Sequence, residues 1–99
     1  MDRVMPATRF KLIFTTPHPQ LEAIKQAIFE VGAGTYPGGK YSQVSFEVAG
    51  LGQFLPEEDK GAKPNIGTPG TLEKVQEMKV EIMCVGREVM NDAVAALKR

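Results

Sequence analysis

The chain contains one histidine, His18, and one cysteine, Cys84, which limits the chemistry that its side chains can support. A single histidine excludes a metal site built from several histidines, and a single cysteine excludes an internal disulfide. His18 precedes Pro19, which is typical of a turn at the start of a helix. Cys84 lies among alternating apolar residues, where a thiol packs as a small hydrophobic group. We therefore predict no catalytic and no metal-binding residue in this chain.

Three glutamates, Glu73, Glu77 and Glu81, form the other group with chemical potential. If their segment is a strand, Glu77 and Glu81 lie about 13 Å apart along it. That separation is too long for one metal ion or one pair of catalytic carboxyl groups, and Lys79 lies between them. The spacing favours an ion-pair network on a solvated or partner-facing sheet surface over a catalytic site.

Glycine and proline concentrate in two places with different expected roles. The sequence Gly32-Ala33-Gly34 follows a predicted helix, which indicates a helix C-cap; a phosphate-binding loop would precede a helix. The second place is the segment 49–72, which we call the arm, and an irregular stretch of this length is usually functional or disordered. We predict a protruding, partly ordered hairpin that contacts a partner or a ligand; a plain solvated loop is the alternative. Its glycines and prolines are Gly50, Gly52, Pro56, Gly61, Pro64, Gly67, Pro69 and Gly70.

Hydrophobic periodicity predicts the elements that position these residues. Strands are expected at 8–15, 43–48 and 75–85, and helices at 20–31 and 87–98. We expect the methionine and aromatic residues to lie in the core, because they follow the strand and helix periods. The expected core positions of the first and third strands are Phe10, Leu12, Phe14, Met78, Val80, Ile82 and Cys84.

The order strand, helix, strand, strand, helix predicts an α+β fold, namely a ferredoxin-like plait whose fourth strand is missing or supplied elsewhere. In that plait the third strand lies between the first two and is antiparallel to both. Arg9 and Lys11 would then lie beside Glu77 and Glu81, and each opposite-charge pair would contribute about 0.2–1 kcal/mol. Because natural domains avoid open strand edges, we expect either that the chain is truncated at Arg99, before the fourth strand, or that another subunit covers the edge of the first strand.

The composition narrows the class of protein further. The 99 residues carry 12 Lys and Arg against 12 Asp and Glu, so the net charge is zero. That balance argues against a nucleic-acid partner and against an anionic membrane surface as a partner. The sequence contains no apolar run of membrane-spanning length and no signal peptide. We expect a cytoplasmic protein with one domain at 8–99 after a tail at 1–7.

Several motifs resemble the PII/CutA-like domain of the NGG1-interacting-factor-like family, whose members are often labelled GTP cyclohydrolase 1 type 2 homologs. The resemblance covers roughly residues 8–98, and its most specific part is the Gly-x-Gly-x-Phe-x-Pro sequence of the arm. The stretch 34–41 is similar to shorter, stand-alone versions of the domain. The motifs that carry the resemblance are Gly32-Ala33-Gly34, Tyr41, Ser45-Phe46, Gly50-x-Gly52-x-Phe54-x-Pro56, Pro64-x-Ile66-Gly67, Gly70 and Glu73-x-Val75-x-Glu77-x-Lys79-x-Glu81.

The resemblance implies a plait that forms trimers, with the long connection between the second and third strands reaching toward neighbours or ligands. In the larger members the dinuclear-metal ligands lie in a core domain that this chain lacks, so no metal ligand and no cyclohydrolase activity carries over. Larger members often have a cysteine where this chain has Val44. They also continue after the second helix with a His-Pro-Tyr-Glu-Glu-Pro-like segment that forms the last strand.

We therefore expect a non-catalytic, homo-oligomeric PII/CutA-like module, with a trimer favoured, that binds a small ligand or ion at subunit clefts and needs no cofactor. The alternatives are a metal-handling protein, an accessory domain of a metal-dependent hydrolase, or an adaptor for another protein. The residues expected to contact a ligand or partner are Tyr41, Gly50, Gly52, Phe54 and Pro56 on the arm side, and Glu73, Glu77, Lys79 and Glu81 on the adjacent sheet face.

Overall fold

The computed structural model describes residues 8–64 and 67–98, which form a three-stranded sheet and two helices. The tail at 1–7, the arm residues Asn65 and Ile66, and Arg99 lie outside the described residues. Single 3-10 turns span His18–Gln20 and Glu58–Lys60. The elements are β1 Arg9–Thr16, α1 Leu21–Glu30, β2 Phe46–Phe54, β3 Glu73–Val85 and α2 Arg87–Leu97.

The strand order is β1-β3-β2, and β3 pairs antiparallel with both neighbours, as the sequence predicts. Leu12 lies opposite Ile82 in one pair, and Ala49 lies opposite Met78 in the other. Side chains alternate between the two sides of a sheet, so this register decides which residues face the helices.

The core lies between one side of the sheet and the two helices. Val80, Ile82 and Cys84 of β3 are fully buried there, together with Ile28 of α1 and Ala93 of α2. Full burial of a side chain such as Val or Ile stabilises the fold by about 1.5–3 kcal/mol. Three of the predicted core positions of β3 are therefore confirmed, and the fourth, Met78, is partly buried against the same cluster. Phe14 of β1 also belongs to this cluster.

Glycine directs the chain out of α1 and back toward the sheet. Gly32 has a φ of +102°, the left-handed conformation expected of a helix C-cap. Gly34 has a φ of +78°, and its N–H donates to the carbonyl of Met83 at 2.8 Å. A Cβ at Gly34 would lie 2.8 Å from the Phe29 ring and 2.9 Å from the carbonyl oxygen of Val44. Only glycine fits this position without strain, and it fixes the start of the loop 35–45 against β3.

The arm is more regular than expected, because β2 continues to Phe54 and β3 begins at Glu73. Residues 49–54 therefore form a strand, which corrects the expectation of an irregular stretch from residue 49. Gly50 and Gly52 weaken strand propensity, but their pairing with Glu77 and Val75 of β3 overrides it. Since β1 ends opposite Met78, the last rows of the hairpin have two strands only and project from the body.

The expectation that the aromatic residues lie in the core is wrong for several of them. Phe46 is 63% exposed and Tyr41 is 66% exposed, and Phe54 and Tyr36 are exposed as well. The cause at Phe46 is the register, because its partner Glu81 points away from the helices. The helix side of β2 is occupied by Glu47, whose carboxylate accepts a hydrogen bond from Lys25 of α1 at 2.7 Å.

Candidate functional site: the open face of the sheet

The side of the sheet opposite the helices, here called the open face, collects most of the residues expected to contact a ligand or partner. The even-numbered residues of β2 and the odd-numbered residues of β1 and β3 share it, because they alternate with the buried core positions. The expected contact residues that the structure brings together on it are Gly50, Gly52, Phe54, Glu73, Glu77, Lys79 and Glu81.

Two of the expected contact residues lie elsewhere. Pro56 is buried just beyond the end of β2, and its carbonyl accepts a hydrogen bond from the N–H of Gly70 at 2.7 Å. This bond joins the two sides of the arm beyond the strands. Tyr41 lies in the loop 35–45, before β2, where its carbonyl accepts a hydrogen bond from the N–H of Tyr36 at 2.9 Å. Tyr41 therefore precedes β2, whereas Pro56 follows it.

The charges of the open face form a small network around Glu81. Its carboxylate lies 3.1 Å from the Lys11 ammonium and 3.7 Å from that of Lys79. The hydrogen bond from Lys11, followed by the charges of both lysines, lowers the pKa of Glu81. This confirms the expected proximity of Lys11 and Glu81.

The predicted contact between β1 and Glu77 is wrong, because β1 stops opposite Met78 and does not reach that row. Arg9 lies opposite Val85, at the other end of the sheet. Within residues 8–64 and 67–98, no ion pair involves Arg9 or Glu77. The two lysines therefore compensate the negative charge of Glu81. In the described part of the chain, the guanidinium of Arg9 and the carboxylate of Glu77 have no counter-charge within ion-pair distance.

Glycine flattens the arm half of the open face. Gly50 lies directly opposite Glu77, and a Cβ at Gly52 would overlap the Glu77 carboxylate, which lies across that glycine. Glu73 lies in the same way against Gly67. The backbone is therefore exposed at Gly50 and covered by Glu77 at Gly52, so another chain can approach the middle of β2 closely at Gly50.

Large apolar side chains on the open face were missed by the sequence reasoning. Phe46 and Val48 of β2 are 63% and 41% exposed, and Ile13 of β1 is 51% exposed. Ile13 and Phe46 lie on either side of Glu81 in one cross-strand row. The sequence did contain an indication of their position. Phe46 and Val48 are even-numbered residues of the same strand as Gly50, Gly52 and Phe54, which were expected to make contacts, so they lie on the same side of the sheet.

The residues with nucleophilic or metal-binding chemistry lie away from the open face. Cys84 is fully buried on the helix side, and burial raises the pKa of its thiol. His18 is exposed in the turn before α1. Within the described part of the chain, histidine, cysteine and acidic residues form no group of three that could hold a metal ion. Neither helix there is long and apolar enough to cross a membrane.

Sequence comparison relates most of the chain to part of a group of larger proteins, although no family model matches it. A GTP cyclohydrolase 1 type 2 homolog of Mycobacterium tuberculosis is 44% identical over 77 residues, covering 78% of this chain and 19% of that protein. The protein of the same name from Halalkalibacterium halodurans is 39% identical over 89 residues, covering 89% of this chain and 22% of that protein. The chain thus spans about a fifth of the length of the curated relatives that it matches.

Comparison with solved structures shows a similar fold in part of a larger protein. The Bacillus cereus protein related to NIF3 superposes with a TM-score of 0.75 and 24% sequence identity, over 95% of this chain and 22% of that one. The sequence is therefore similar to a segment that makes up about a fifth of each GTP cyclohydrolase 1 type 2 homolog, and its fold is similar to that of a segment of the NIF3-related protein.

Proposed function

We propose that this chain is a non-catalytic module of the PII/CutA type, a ferredoxin-like plait, that self-associates through its open face and arm and holds a small ligand or ion at the clefts between subunits. A trimer is the favoured assembly. The observation that carries the proposal is the exposure of Phe46, Val48 and Phe54 on one face of the sheet. Neighbouring exposed apolar residues of this kind mark interaction sites.

The chemistry of the open face suits contact with another copy of the chain. The charge of Glu81 is compensated within the chain by Lys11 and Lys79, so burying its carboxylate needs no charge from a partner. Gly50 leaves a low area beside the projecting side chain of Val48, whereas the Glu77 carboxylate covers Gly52. In a ring such as a trimer, one patch of each subunit contacts a different patch of the next, so raised and low areas on one chain can both be used. The open-face side of the projecting hairpin would extend the contact onto a neighbouring subunit.

Self-association is tested by substituting one apolar residue on each side of β2. Phe46 and Leu51 are both 63% exposed, but Phe46 lies on the open face and Leu51 on the helix side. We expect Phe46→Ser to dissociate the oligomer, because it removes an apolar side chain from the contact, whereas Leu51→Ser keeps the wild-type mass. Val48→Ser should act like Phe46→Ser. Sedimentation equilibrium of the three variants and the wild type measures the mass of each.

Two results would contradict the proposal. One is a monomeric wild-type protein at a concentration of about 100 μM, at which even a weak contact is populated. The other is equal dissociation by Phe46→Ser and Leu51→Ser, because the contact would then not be confined to the open face.

The similarity to a segment of larger proteins favours a second candidate, an accessory domain of a metal-dependent hydrolase. In that role the open face would bind the rest of such an enzyme. The two candidate functions predict different behaviour for the isolated chain: the first predicts an oligomer and the second a monomer. A monomer that associates only with a hydrolase partner would favour the second. Metal analysis of the purified chain tests the metal-handling alternative, for which a stoichiometric ion would be required.

A further inference from the structure

A pocket of about 540 Å³ lies at the end of the open face that is remote from the arm. This volume is in the range of small-molecule sites. Strand β1 forms one wall and the loop 35–45 forms the other. The residues that line it with chemically distinct groups are Arg9, Lys11, Tyr36, Phe46, Glu81 and Met83.

The two walls differ in character. Tyr36 and Phe46 contribute aromatic rings, and their side chains are 42% and 63% exposed, so their rings are accessible. Arg9 and Lys11 contribute cations from the open face of β1. Aromatic rings bind planar rings by stacking or edge contacts, and a guanidinium binds carboxylate or phosphate with two parallel hydrogen bonds.

The charges leave one cation available to a ligand. Glu81 accepts from Lys11 and lies near Lys79, so its negative charge is compensated inside the chain. Within the described residues Arg9 has no carboxylate within ion-pair distance. The pocket therefore combines an uncompensated guanidinium with two rings, and it does not favour a cation or a purely apolar molecule.

The position of the aromatic wall is fixed by the backbone. The N–H of Gly34 donates to the carbonyl of Met83, and the N–H of Val44 donates to the carbonyl of Gly34 at 2.9 Å. The N–H of Tyr36 donates to the carbonyl of Tyr41 across the same loop. These bonds hold both ends of the loop beside β3, so the pocket exists in a single chain before any ligand arrives.

We infer that this pocket binds a small planar aromatic anion, with Arg9 on the carboxylate or phosphate group and Tyr36 and Phe46 on the ring. The inference deepens the ligand-binding part of the proposed function by naming the class of ligand. It does not require self-association, because one chain supplies all the residues.

Calorimetry with three probes tests the ligand class: phenyl phosphate, benzoate and inorganic phosphate. We expect phenyl phosphate or benzoate to bind with a dissociation constant of about 1 mM or tighter, and inorganic phosphate to bind at least about tenfold more weakly. The two aromatic probes distinguish a phosphate from a carboxylate ligand. No binding of either aromatic probe at about 10 mM would overturn the inference. Equal affinity for inorganic phosphate would overturn the aromatic part of it.

Two charge-removing variants test the position of the site. Arg9→Gln should weaken aromatic-anion binding about tenfold, the size of a lost charged hydrogen-bond pair. Lys74→Gln removes the same charge from the helix side of β3 and should leave the affinity unchanged. Equal weakening by both variants would show a general charge effect and would overturn the assignment.

Ligand binding by the pocket and self-association of the chain can be tested separately. Val48 does not line the pocket, so a monomeric Val48→Ser protein should bind phenyl phosphate as the wild type does. A dissociated variant that binds normally supports the pocket whatever the assembly. A variant that loses binding on dissociation places the site between subunits and contradicts a pocket built by one chain.

Discussion

At the scale of single residues, glycines have two roles: they shape the open face of the sheet, and they allow close packing of the backbone. Gly50 leaves the surface of the open face low, and Gly52 makes room for the Glu77 carboxylate that lies across it. Gly34 instead holds backbone close to backbone, between the Phe29 ring and the carbonyl of Val44. It is therefore the glycine on which both the end of α1 and the aromatic wall of the pocket depend.

Gly34→Ala is expected to lower the free energy of unfolding by about 3 kcal/mol, because the added methyl group overlaps a ring and a backbone oxygen in a left-handed conformation. Gly38 is a matched control, since its φ of +93° is similar but a Cβ there would meet nothing within 4 Å. Gly38→Ala should cost only the conformational strain, about 1 kcal/mol. Urea unfolding of both variants measures the difference, and equal losses would show that the close contacts of Gly34 are not limiting.

At the scale of elements, the hairpin of β2 and β3 has two parts with different support. In the rows of Met78 to Glu81, β3 has a strand on each side, and its buried side chains lie against the two helices. In the rows of Glu73 to Glu77, the only strand of the described residues that pairs with β3 is β2. Local stability follows such differences in contact and burial.

Hydrogen exchange should therefore separate the two parts of the hairpin. We expect the amides of 50–54 and 73–77 to exchange faster than those of 80–84 in the same molecule. Self-association should slow the arm amides by covering them, so their protection should fall in the dissociated Val48→Ser variant while that of 80–84 persists. The expectation fails if the arm amides of that variant are as protected as the central ones.

The sequence predicts the elements that are defined by local alternation and misses what depends on distant pairing. Val80, Ile82 and Cys84 could be placed in the core because the apolar period of β3 is unbroken. The extension of β2 to Phe54 could not be predicted, since glycine disfavours a strand and only pairing with β3 compensates. The outward direction of Phe46 follows from its partner Glu81, and the pocket joins residues from β1, β2, β3 and the loop 35–45. No local pattern indicates the pocket, whereas the side of Phe46 could have been predicted from its alternation in step with Gly50, Gly52 and Phe54.

At the scale of the whole molecule, the chain is elongated, with extents of 63 × 24 × 19 Å. Its core is small and lies on the helix side of the sheet, and the open face adds exposed apolar surface to the arm. Self-association as proposed would stabilise such a molecule, because a second copy would cover surface that the single chain cannot bury.

The thermal midpoint should consequently depend on protein concentration. Raising the concentration about 100-fold is expected to raise Tm by about 5 °C or more, because association adds about 1 kcal/mol or more per chain. Differential scanning calorimetry of the wild type measures the shift, and the Phe46→Ser variant serves as the control with a constant Tm. A wild-type Tm that does not change with concentration would show that folding and association are not coupled.

The hairpin that extends beyond β1 also has a consequence for how this surface can evolve. None of the residues in its last rows belongs to the core cluster, so the arm can gain or lose residues without altering the core. Side chains alternate between the two sides of a sheet, so inserting or deleting two residues in each strand keeps every remaining residue on its present side. Inserting or deleting one residue in a single strand instead moves every residue beyond it to the other side. Related chains can therefore differ in reach in steps of two residues, about 7 Å each, while presenting the same face to a neighbour.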